Sequence, residues 1–162
     1  YMKRVEGDIG VSLLECVNPR KNKWRVRWDI QAKENNENIV TFMEEEFDHC
    51  PTDEEIKSLV IGWYNEQIDN AILMGMTYNG VQVWLSQENQ FNYKAAYDLA
   101  VQTAGKTLPV VFKLGTDEKP VYKQFTTLNE LSNFYNQAMT YIQNTLAKGW
   151  RTKDSIDFTK YR

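Results

Sequence analysis

The sequence predicts an α+β protein in which three β-hairpins alternate with three α-helices and an antiparallel sheet packs on the helices. Three observations carry this prediction. Short runs of alternating apolar and polar residues are separated by turn residues. Two Thr-x-x-Glu capping boxes, Thr52–Glu55 and Thr127–Glu130, mark helix starts. Apolar residues at helical spacing follow each box.

The first hairpin spans residues 11–31. Residues 11–17 are rich in aliphatic side chains, and Asn18-Pro19-Arg20-Lys21-Asn22 reads as a turn. Trp24, Val26, Trp28 and Ile30 then alternate with Arg25, Arg27, Asp29 and Gln31, giving one apolar and one polar strand face. Residues 33–38 are polar and read as loop. Residues 39–42 read as a short third strand, and Glu44-Glu45-Glu46-Phe47-Asp48-His49-Cys50 as an acidic, solvated loop before a helix.

In the first helix, Ile56, Leu59, Val60, Trp63, Tyr64, Ile68, Ala71 and Ile72 share a face, and Gly75 provides a left-handed stop. Tyr78-Asn79-Gly80-Val81 is a strong hairpin signal. Alternation through Val81, Val83 and Leu85 turns Trp84 the other way. Ser86 caps a helix expected from Gln87 to Thr103, with Gly105 as its stop. Residues 108–114 and 120–125 form the third hairpin. The last helix carries Leu131, Phe134, Tyr135, Ala138, Tyr141, Ile142 and Leu146 inward, and Gly149-Trp150 reads as its end. Ile156 and Phe158 are expected to pin the tail. Residues 1–50 thus form an N-terminal hairpin region and residues 51–162 an α+β domain, with one compact unit as the alternative.

Composition narrows the function classes. With 42% hydrophobic and 25% charged residues, the 162-residue chain is an ordinary globular sequence. A net charge of −3 supplies no general grip on nucleic acid. The cluster Arg20, Lys21, Lys23, Arg25 and Arg27 reads as a turn plus the solvent face of a strand, where Arg25 and Arg27 would discourage edge pairing if that strand is an exposed edge. No apolar run reaches membrane-span length, and residues 1–8 lack the apolar stretch of a signal peptide. Cys16 and Cys50 read as reduced thiols of a chain made in the cytoplasm.

No catalytic constellation emerges. His49 is the only histidine, and its neighbour Cys50 points to the opposite side in an extended chain, which disfavours both a shared metal and a Cys-His pair. Neither a Gly-x-Ser-x-Gly elbow nor a phosphate-binding glycine loop occurs. Acidic residues gather at helix starts, where capping accounts for them. The expectation is a non-enzyme without cofactor or metal. Trp63, Tyr64, Phe134, Tyr135 and Tyr141 read as core, whereas Trp84 and Trp150 are the aromatics expected at a binding surface.

A longer pattern runs through residues 54–158. It comprises Ile56-Lys57-Ser58-Leu59, then Tyr78-Asn79-Gly80-Val81-Gln82-Val83-Trp84-Leu85-Ser86, then Asn92-Tyr93-Lys94-Ala95-Ala96-Tyr97-Asp98-Leu99-Ala100. Leu108-Pro109-Val110-Val111-Phe112-Lys113 follows, and Leu146-Ala147-Lys148-Gly149-Trp150-Arg151-Thr152-Lys153-Asp154-Ser155-Ile156 closes the series. In this order the segment resembles a domain of unknown function that recurs in tail-fibre-associated and other tail proteins of bacteriophages and prophages. The whole chain is similar to hypothetical proteins from phages and prophages of gut Bacteroidales. The resemblance implies a tail-associated structural or adaptor protein that binds other phage tail proteins, is made in the bacterial host cytoplasm and is carried in the virion tail. It carries over no active site. A homo-oligomer is compatible with it. Two alternatives stay open: a tail assembly chaperone absent from the mature virion, and a carbohydrate-binding module for host surface glycans built on Trp84 or Trp150.

Overall fold

A computed structural model describes residues 1–162 and shows an α+β fold with antiparallel sheets. The strands are β1 (Lys3–Asp8), β2 (Leu14–Asn18), β3 (Lys23–Lys33), β4 (Asn36–Phe47), β5 (Met76–Tyr78), β6 (Val81–Val83), β7 (Val110–Gly115) and β8 (Pro120–Phe125). The helices are α1 (Asp53–Met74), α2 (Gln87–Gln102) and α3 (Leu128–Asp154). The chain folds as two compact units, Tyr1–Trp63 with Ser155–Arg162, and Tyr64–Asp154. The sequence suggested a boundary near Pro51; in the structure the first unit continues into α1 and takes back the tail.

The first unit is a four-stranded sheet in the order β1-β4-β3-β2, every neighbour antiparallel. Val26, Trp28, Ile56 and Val60 are buried, and Trp28 meets Trp63 edge-on with ring centroids 6.3 Å apart. Tyr161 from the tail is 4% exposed and donates its hydroxyl hydrogen to the Arg27 carbonyl at 2.6 Å.

Several expectations are corrected here. Within the polar stretch 33–38 only residues 34–35 turn, since Lys33 ends β3 and Asn36 opens β4, and β1 was not foreseen. Of the stretch 44–50 read as an acidic loop, residues 44–47 are the end of β4 and only 48–50 lead to α1: Glu44 lies opposite Arg27 and both are 5% exposed. Burial of either charge alone would be costly, so the two become strand residues together. Arg27 is therefore not on a solvent face, and β3 is a central strand with no edge to protect. Ile30 is also misassigned. Asp29 adopts φ 54° at a bulge between Trp28 and Gln31, which inverts the alternation and leaves Ile30 43% exposed. Arg4 braces the bulge with an ion pair to Asp29.

The second unit stacks two two-stranded sheets, β5-β6 and β7-β8, with α2 and α3. Its core is aromatic. Tyr78, Tyr93, Phe112, Phe125 and Phe134 are each at most 5% exposed, and neighbouring rings lie 4.7 to 6.1 Å apart. The burial of Tyr93 pushes its phenol pKa up. Tyr141, more peripheral, donates to the Ala71 carbonyl at 2.7 Å.

The first capping box forms in full and the second only in its Thr127 half. Thr52 N–H donates to Glu55 Oε2 at 2.7 Å and Glu55 N–H to Thr52 Oγ1 at 3.2 Å. In α3, Glu130 N–H donates to Thr127 Oγ1 at 3.2 Å, but the Glu130 carboxylate accepts from Thr126 N–H, one residue earlier than a regular box. Gly149 does not end α3, which continues to Asp154. A Cβ at Gly149 would lie 2.3 Å from Ile68 Cδ1, so this glycine is a close-approach site between α1 and α3.

Candidate functional site

The surface of the second unit is assembled around the entry to α2. Alternation through β6 buries Val83 and Leu85 and leaves Trp84 40% exposed. The next residues lock that position. Ser86 Oγ accepts from Asn89 N–H at 3.1 Å, Asn89 Nδ2 donates to the Trp84 carbonyl at 3.0 Å, and Gln90 Nε2 donates to the Leu85 carbonyl at 2.8 Å. Beside Trp84, the loop between β7 and β8 completes a cleft of about 380 Å³.

Along α2, Tyr93 and Ala100 face the core. Opposite them, Phe91, Ala95 and Leu99 recur every four residues and share the outer face. Phe91 is 73% exposed and Leu99 50%, with Lys94 and Asp98 paired at 2.6 Å beside them. The outer face of the β7–β8 ribbon adds Val111 and Tyr122, on strands where Val111 lies opposite Gln124 and Lys113 opposite Tyr122. Exposed large apolar groups mark a contact surface where they form one contiguous patch. Trp150 is exposed near the end of α3, and no ring contact joins it to Trp84. The sequence thus picked out two exposed aromatics and missed Phe91 and Tyr122. Phe91 was readable: counting from the Ser86 cap places it opposite Tyr93 and Ala100.

The two buried charges of the first unit, Arg27 and Glu44, are paired with each other. Burial disfavours the Arg27 charge, yet hydrogen bonds to Glu44 at 2.8 Å and Glu15 at 2.6 Å outweigh it and raise its pKa. The guanidinium also donates to the Ser12 carbonyl and sits 5.5 Å from the Phe42 ring centroid. Every one of these partners holds the sheet together. His49 Nε2 lies 2.8 Å from Glu55 Oε1, within the capping box. Cys16 and Cys50 are free. No group of three or more His, Cys, Asp or Glu side chains is placed to hold a metal ion, and no helix is long and apolar enough to cross a membrane. What the second unit presents to solvent includes the apolar side chains of Phe91, Leu99, Val111 and Tyr122.

Neither protein-family models, nor curated proteins, nor solved structures give a match to this chain.

Proposed function

We propose that this chain is a non-enzymatic structural or adaptor protein of a phage or prophage tail, acting by binding other tail proteins. The observation that carries the binding part is the outer face of α2. Phe91 and Leu99 are held in water by a helix whose opposite side is anchored in the core. Burying Phe91 against a partner is worth about 1.5–3 kcal/mol and the half-exposed Leu99 about half as much. The tail assignment is supported by the resemblance of residues 54–158 to the tail-protein domain, whose matching segments fall in α1, β5-β6, α2, β7 and the end of α3.

Mass spectrometry of purified phage particles tests this function. The protein is expected at a fixed ratio to the tail proteins, and Phe91→Glu is expected to remove it from particles while leaving its own fold intact. Presence in infected-cell lysate with absence from particles overturns the structural role and leaves an assembly chaperone in its place.

A further inference from the structure

The Trp84 cleft has a chemistry of its own, separate from the apolar face of α2. We propose that it binds a neutral saccharide, with the indole ring lying on the C–H face of a pyranose and the surrounding polar groups taking its hydroxyls. The cleft is lined by Trp84, Asn89 and residues 113–117. An apolar plate bordered by a few fixed polar groups is what a saccharide requires, because its ring faces alternate between C–H and hydroxyl surfaces.

Asn89 and Thr116 are held in place yet have hydrogen-bonding capacity to spare. Asn89 spends one amide N–H on the Trp84 carbonyl at 3.0 Å, which fixes the side chain and leaves Oδ1 as an acceptor. Thr116 Oγ1 accepts from Lys119 N–H at 3.1 Å, and its own hydrogen remains to donate. The Trp84 indole N–H donates to no protein group. Lys113 and Asp117 stand 3.8 Å apart with 53% and 103% of their side chains exposed. Their opposite charges favour neither an anionic nor a cationic ligand, while a pair of neighbouring hydroxyls can donate to one and accept from the other.

The loop is also preformed. Thr116 and Lys119 exchange backbone hydrogen bonds at 3.2 and 3.1 Å. Gly115 has φ +82°, and a Cβ there would lie 2.3 Å from the Lys119 carbonyl oxygen. A rim that is already ordered loses little entropy on binding, which matters for a small ligand.

The test is a glycan array, followed by NMR titration of the full chain with the methyl glycoside of each terminal sugar that scores. At least one glycoside is expected to move the Trp84 indole N–H and the Gly115 and Thr116 amide signals saturably, with a Kd of about 1 mM. Trp84→Ala should weaken this at least about tenfold, read at the two amides, and Asp117→Asn about threefold. Asp117 is fully exposed at a loop tip, so its variant reports on the site without disturbing the fold. An array without hits, a glycoside that moves other signals only, or undiminished binding by Trp84→Ala overturns the proposal. None of these outcomes bears on the adaptor role, which rests on α2.

Discussion

In the unit built on β1 to β4 the deepest side chains include a charge pair; in the unit from Tyr64 to Asp154 the same depth is filled by rings. Arg27 and Glu44 sit in a sheet where Glu15, the Ser12 carbonyl and the Phe42 ring complete the guanidinium's surroundings. Tyr78, Tyr93, Phe112, Phe125 and Phe134 pack in tilted and edge-on pairs, and Lys123 Nζ stands 5.5 Å from the Phe125 ring centroid. The two solutions have different sensitivities. A buried ion pair specifies register, because strand slippage would leave an unpaired charge, yet replacing both charges with apolar groups is often neutral. An aromatic core is less particular about register, but removing one ring opens a cavity that its neighbours cannot fill.

The largest expected effect lies in the second unit. Phe134 touches four of the other core rings, and Phe134→Ala should cost about 3–5 kcal/mol in urea unfolding. In the first unit, Glu44→Leu should cost about 3 kcal/mol, since Arg27 would keep only the more exposed Glu15. Adding Arg27→Leu to that variant should recover most of the loss. If the double variant is as unstable as the single one, the pair is not what makes this sheet differ from the ring core.

A smaller effect tests α3. Gly→Ala in an open helix interior stabilises by about 1 kcal/mol. At Gly149 the sign should reverse, with a cost of about 1–3 kcal/mol from overpacking against Ile68. Ile68→Ala should cancel that part of the cost, and a stabilising Gly149→Ala would return this residue to the role of an ordinary helix position.

The smallest effect is shared by both units. The Thr52 backbone N–H, and then His49, hold the Glu55 pKa below its ordinary value; Lys123, and then the Thr126 N–H, do the same for Glu130. A carboxylate depressed in the folded state contributes stability above its unfolded pKa and loses it as pH falls through the folded value. The loss should therefore appear below about pH 4.3. Glu55→Gln and Glu130→Gln should each flatten that acid limb in thermal melts between neutral and acid pH.

What the sequence revealed follows the range of the forces involved. The capping boxes, the Asn79-Gly80 turn and the Ser86 cap are local, and each was readable from a few consecutive residues. Glu44 was not, because its reason for being in a strand is Arg27 on a neighbouring strand. The alternation in β1 is too weak to see once Gly7 occupies an inward position against Phe42. Gly149 followed by Trp150 looks like a helix stop until Ile68 is placed beside it. At the surface, alternation alone turned Trp84 outward. Phe91 required the helical wheel of α2, and the loop residues around Trp84 required the β7–β8 hairpin to bring them there.

The central claim is that partners bind the outer face of the second unit. A photo-reactive p-benzoylphenylalanine placed at Phe91, with a control at the exposed Ile30 of the first unit, tests it in assembling particles. The account predicts an adduct between position 91 and a tail protein, and none from position 30. Adducts from position 30 alone, or none from position 91 in particles that contain the protein, would contradict it.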